Sequence, residues 1–427
     1  MNRRVFVTTV GTLGAAGLAG CMGGDGNEDG DRPGGDAGTA TAAGTGTATS
    51  TPEPEIETTE GPAEFAVYDA AWAEGESLTV DAGSPVELTV GNRGGEPGRL
   101  GGELSAESRV STVAEPLVGE LSLPDEEVPS GQTVTVTSET VTPLFAGGYD
   151  ATVRTDDGTL PVADEDAAVL AVAPHTGSTG ETLPLGGDLR MRVSGVAFED
   201  ALYHPETISR GFNSAERYGL YTTLSDQTFA VVEATVENTG NSAARFEGDA
   251  VDFAGAAALS PDAEVTTLDG EPLAGANVNP GSRRTGWLLF RVARDAVPDA
   301  AVNHYRDSPT AAADAVWDLG LSDVRFPSFE LTDVDVPDTF VDGNGEQPLA
   351  FTVANTGEAT GTFRGAIEWR LPDDDSWDGL LAGNDELVAR IPPGESATIR
   401  TTTTADGEES FEYRFQPFGV TFLVEAP

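Results

Sequence analysis

One short pattern occurs three times and constrains the fold more than anything else in the chain. A strand ending in V-x-N-x-G appears as Val90-Gly91-Asn92-Arg93-Gly94, Val236-Glu237-Asn238-Thr239-Gly240 and Val353-Ala354-Asn355-Thr356-Gly357. Each is followed by a turn built on Pro and Gly, at Pro129-Ser130-Gly131, Pro280-Gly281 and Pro393-Gly394, with Asn-to-Pro separations of 37, 42 and 38 residues. The outer copies share an opening too, Phe65-x-Val67-x-Asp69 and Phe329-x-Leu331-x-Asp333, whose Asp stands 23 and 22 residues before its Asn. Such self-similarity means one supersecondary unit used three times. Asn and Gly tolerate positive φ and end a strand, and Pro fixes the entry to the next turn. These residues are expected to make turns rather than chemistry.

Between the repeats the hydrophobic pattern has period two. Thr133-Val134-Thr135-Val136-Thr137 alternates, and Phe363, Gly365, Ile367, Trp369 and Leu371 interleave with Arg364, Ala366, Glu368 and Arg370. Alternation of this kind marks half-buried antiparallel strands. Helical spacing is scarce, with a turn or two expected over Thr310–Trp317. The fold class is all-β: three tandem Ig-like antiparallel β-sandwich domains at 63–174, 182–320 and 326–427.

Units one and three resemble the cell-adhesion-related (CARDB-type) repeats, whose V-x-N-x-G strand end precedes a Pro-Gly turn. The middle unit resembles the telokin-like immunoprotective lipoprotein family. Phe229-Ala230-Val231-Val232 through Asn238-Thr239-Gly240 carries that likeness, with Pro280-Gly281 and Gly286-Trp287-Leu288-Leu289-Phe290-Arg291-Val292. Unit one departs from the pattern at Arg93, where Thr is common. Neither resemblance implies catalysis; both imply adhesion, binding or spacing.

The first residues read as an address. Arg3-Arg4-Val5-Phe6-Val7 resembles a twin-arginine export signal, and the apolar stretch Val5–Gly20 is short for a bilayer span of about 20 residues. Leu18-Ala19-Gly20-Cys21 resembles a lipobox, so residues 1–20 are expected to be removed and Cys21, the only cysteine, to carry lipid. The competing reading is a buried free thiol. Residues 21–62 hold the lipidated Cys and a Gly, Thr, Asp, Pro and Glu-rich segment with no aromatic residue, which cannot bury enough apolar surface to order itself. It is expected to be a tether with an end-to-end distance on the order of 35 Å.

Composition narrows the partners. The chain has 72 Asp+Glu against 23 basic residues, all arginine, for a net charge of −49. Nucleic acid would be repelled, and chemistry that needs a lysine is excluded. Acidity spread this evenly, without lysine, resembles exported proteins of extreme halophiles, and together with the leader it resembles a haloarchaeal lipoprotein. A cation-binding surface is the competing explanation.

Candidate chemistry is sparse. The histidines are His175, after Pro174 in an expected exposed linker, His204 and His304. The middle unit gathers aromatics, arginines and histidines in segments longer than hairpins need. Tyr203, His204, Arg210, Arg217, His304 and Tyr305 form the candidate binding surface, because aromatic rings and Arg are typical interface anchors. The competing reading is a packed cover over the sandwich. Asp342-Gly343-Asn344-Gly345-Glu346 has the flavour of a calcium loop without the full ligand spacing. No nucleophile elbow or dinucleotide fingerprint occurs, so neither enzyme activity nor a cofactor is expected, and no metal site is singled out. The function expected is a lipid-anchored, extracellular binding, adhesion or envelope-scaffolding protein, with a surface protein or glycan as partner. The alternative is a solute- or metal-capturing lipoprotein serving a transporter.

Overall fold

A computed structural model describes residues 56–426, except 110–116, 120–121, 165–167, 211–212, 261–264, 266, 307–311, 340–345, 374, 380–386 and 405–409. The side chains of 205–218, 346, 378–379 and 404 are also outside the description. The chain is nearly all β, and its sheets face one another as sandwiches in chain order. The first unit pairs a four-stranded sheet, which includes Phe65–Trp72, Ser84–Asn92 and Thr133–Pro143, with a sheet built on Gly98–Ser108, Gly147–Thr155 and Val169–Ala173. The middle unit pairs a five-stranded sheet around Leu189–Glu199, Gln227–Asn238 and Arg283–Ala293 with another around Ala301–His304 and Ala315–Asp318. In the third unit, Phe329–Asp335, Glu346–Asn355 and Ser396–Thr404 face Gly361–Arg370, Phe411–Gln416 and Val420–Val424. Separate apolar clusters fill the three sandwiches.

The repeated motif does more than turn the chain. Asn92, Asn238 and Asn355 are all fully buried. Each Nδ2 donates to the carbonyl four residues on and to one at the approach to the distant turn. The pairs are Glu96 at 2.8 Å and Val128 at 3.1 Å, Ser242 at 2.8 Å and Val278 at 2.9 Å, and Ala359 at 2.7 Å and Ile391 at 2.8 Å. Each Oδ1 accepts the motif glycine N–H at 2.9, 2.9 and 3.0 Å. The backbone carbonyl of each Asn accepts from Gly131, Gly281 and Gly394, which hold positive φ in the far turn. The Asn is thus a buried polar cross-link between a strand end and a turn some 40 residues away, not the positive-φ residue expected of it. The motif glycine serves close approach: a Cβ on Gly94 would lie 2.0 Å from the Pro62 carbonyl oxygen.

Around this cross-link the same ladder is built three times. Phe65, Leu189 and Phe329 stand directly opposite the three Asn residues. Thr89, Thr235 and Thr352, three residues before each Asn, meet Thr135, Thr285 and Thr398 across the strand pair. The middle unit departs from simple alternation because its sheet is covered on both faces. Ala230, Val232, Leu288 and Phe290 enter the sandwich core, while Phe229, Val231, Trp287 and Leu289 join Leu202 and Val265 in a second cluster outside it. Burial on both faces explains the unbroken apolar runs there.

Other expectations change. Residues 56–62 lie against the first unit, where Thr59 N–H donates to the Arg93 carbonyl at 2.7 Å. The helical turn expected near Trp317 is instead the strand Ala315–Asp318. His175 is not linker: it opens the strand His175–Ser178, which pairs in parallel with Ala315–Asp318.

Candidate functional site

The candidate residues fall into two places, both where successive units meet. The first is the hairpin Ala201–Arg210 and Asn213–Thr222, which leaves the middle unit at the end facing the third. Tyr203 is 2% exposed, and its hydroxyl donates 2.6 Å to the Gly365 carbonyl of the third unit, with the Leu387 carbonyl at 3.3 Å. His204 is buried and stacks on Tyr221 with ring centroids 3.9 Å apart. Neither residue is a solvent-facing anchor. The hairpin base is consumed in holding two parts of the same chain together, because aromatic area that buries well serves an internal interface as readily as an external one. The side chains of Arg210 and Arg217 lie outside the described residues, as do Cys21, Arg3, Arg4 and the loop Asp342–Gly345.

Around this base the sequence reading missed the residues that do most of the joining. Arg364, 8% exposed in its side chain, grips the Glu199 carboxylate at 2.5 and 3.4 Å and donates to the Ala201 carbonyl at 3.2 Å. Arg294 donates to Asp200 at 2.7 Å and to the Pro327 carbonyl at 2.9 Å, and lies over the Phe326 ring. Phe326 meets Phe198 edge-on, with centroids 5.3 Å apart. Burial raises the Asp200 carboxyl against the lowering effect of Arg294.

The second place is the junction of the first and middle units, which leaves only Pro174 between their strands. Asp81, at φ 63, receives Arg306 through both terminal nitrogens and His175 Nε2 at 3.4 Å. Burial raises the Asp81 carboxyl, but the Arg306 bonds and charge, with His175, outweigh it and hold it below the ordinary value. Arg306 also donates to the carbonyls of Leu144 at 2.7 Å and Leu185 at 3.2 Å. Asp314 accepts Ala146 N–H from the first unit at 2.7 Å and Arg306 N–H at 2.8 Å, and burial raises its carboxyl. A Cβ on Gly186 would lie 2.4 Å from Arg306 Nε, so only glycine leaves room for the clamp.

Of the remaining candidates, Tyr305 donates to Asp252 at 2.5 Å, and His304 is buried beside a cleft at this same junction. The structure therefore splits the candidate surface, with Tyr203 and His204 at one end of the middle unit and His304 and Tyr305 at the other. Among the described residues no group of three His, Cys, Asp or Glu is placed to hold a metal ion. No described helix is long and apolar enough to cross a membrane.

No protein-family model matches the chain, and no curated protein matches it. Among solved structures it is similar to an uncharacterized beta-sandwich protein from Clostridium difficile, at 7% identity over 34% of this chain and 93% of that one, with a TM-score of 0.21. A beta-glucosidase from Kluyveromyces marxianus is similar at 8% identity over 55% of this chain and 50% of that one, with a TM-score of 0.20. Neither likeness bears on activity.

Proposed function

We propose that the protein is a lipid-anchored, non-enzymatic arm on the outer face of a halophile's cell membrane, which spaces or scaffolds envelope components. The observation that carries this reading is the repeated polarity of the units. The chain enters the first unit at the Asn92 end and leaves it beside Asp81, at the other end of the strand Ser84–Asn92. The first unit meets the Asn238 end of the middle unit, and the third meets the opposite end, where Glu199, Asp200 and Arg294 lie. The Asn355 end of the third unit in turn faces the middle one. Strands such as Leu189–Glu199, with 11 residues, span about 35 Å. Three units in line then reach about 100 Å. Clamps at both junctions suit spacing better than free swivelling, and adhesion to a surface protein or glycan is the use this reach would serve.

The anchor half of the reading is tested by Cys21→Ser. That variant is expected in the medium or as unprocessed precursor, and paired Lys replacements of Arg3 and Arg4 should block export. Unchanged lipid labelling and membrane retention of Cys21→Ser would remove the anchor.

A further inference from the structure

The middle sandwich is open at the end that meets the first unit, and a cleft of about 400 Å³ remains there. Its apolar walls come from both units, Leu144 and Phe145 from the first, Leu185, Leu189 and Phe246 from the middle one. That volume lies in the range of small-molecule sites, which are mostly apolar with a few polar groups that fix orientation.

His304 supplies such a group. Val302 and His304 occupy the same face of their strand and both are buried, which places the imidazole on the inner side of the sandwich, where Val302 joins the core. His304 Nδ1 is buried and meets no hydrogen-bond partner among the described residues. Burial, with the Arg306 charge, holds its pKa at about 4, so the ring is neutral at physiological pH and offers a hydrogen-bonding nitrogen rather than a charge. A buried polar atom left without a partner is a cost that an incoming polar group relieves.

The charges nearby narrow the ligand. Arg306 is already committed to Asp81 and to two carbonyls, so it is not an anion receptor. The charges at the lining are paired, Asp81 with Arg306 and Glu247 with Arg245 at 3.4 Å, which leaves the field of a chain that carries −49 overall. An anion is disfavoured by this field, and a strongly hydrated cation by the apolar walls. We propose that the cleft binds a compact, uncharged, mainly apolar molecule with one hydroxyl or N–H group, that group meeting His304 and the apolar body packing between Phe145 and Phe246. Because both units line the cleft, an occupant ties the first unit more firmly to the middle one. The proposal does not depend on the anchored-arm reading.

Phenol and toluene are the probes, of matched size with and without the hydroxyl, added to the full chain in molar salt. With three histidines in the sequence, imidazole NMR resonances can be resolved singly. Phenol is expected to shift the His304 resonance saturably and raise the melting temperature, with toluene binding several-fold more weakly. His304→Phe should lose the preference for phenol, and Phe145→Ala should weaken both probes several-fold. Should His304→Phe fail to fold, Phe145→Ala decides, since that wall belongs to the first unit. A His304 resonance unmoved by either probe up to its solubility would overturn the proposal, as would unchanged binding in the folded variants.

Discussion

Asn92, Asn238 and Asn355 each occupy an inward position, two residues after a buried valine on the same face of the strand. The parity of the alternation therefore already placed a polar amide in the core, where it must find partners. What the sequence could not show is which carbonyls it meets, because those at the far turn lie 36 or 40 residues away. Removing such a residue leaves buried carbonyls and an N–H unpaired. Asn238→Ala is expected to lower unfolding stability by roughly 2–4 kcal/mol, read by denaturant titration in molar salt. Gly94→Ala should be more damaging than Gly240→Ala. The added methyl of the first meets the Pro62 backbone, and that of the second meets the Asp188 side chain. His304 gives a pH signature. Its pKa falls from 6.5 to about 4 on folding, so between those values the unfolded chain binds a proton the folded one does not. Stability is expected to be intact above pH 6.5 and to decline by about 3 kcal/mol as pH falls to 4. His304→Leu, compared with the parent by pH-dependent melting, should flatten that decline.

At the scale of elements, the strands and their order follow from period two and from the turn residues, which act over short distances. The hairpin at Ala201–Thr222 was visible as a segment too long for its place, but its use was not. Tyr203 meets Gly365, and Glu199 meets Arg364, across more than 160 residues of sequence, and no local pattern encodes such pairings. The same holds for Asp81 and Arg306, 225 residues apart. Aromatic and Arg content marks an interface without saying whether the partner is another chain or the next unit. Tyr203→Phe should weaken the contact between the middle and third units by about 1 kcal/mol through the unpaired Gly365 carbonyl. Arg364→Met should cost about 2 kcal/mol or more, since it strands the partly buried Glu199 carboxylate. Both are read as an earlier, separate melting step for the third unit in calorimetry, and a single unchanged transition would remove the interface role.

For the molecule as a whole, the repeated polarity and the two clamps together set the shape. Each unit presents its Asn-sealed end towards the chain start, and the first two hand the chain on from the opposite end, so length accumulates instead of folding back. Arginines stand at both junctions, where an acidic chain would otherwise push its own units apart: Arg306 at one, Arg294 and Arg364 at the other. Screening by molar salt weakens the remaining repulsion without dissolving these partly buried pairs. Small-angle X-ray scattering of the chain truncated to begin at Ile56, in molar salt, tests this most directly. A straight, clamped arm is expected to give a radius of gyration of about 30 Å and a maximum dimension of about 100 Å. A compact globule of the same length, with a radius of gyration of about 21 Å, would contradict the in-line arrangement on which the proposed function rests.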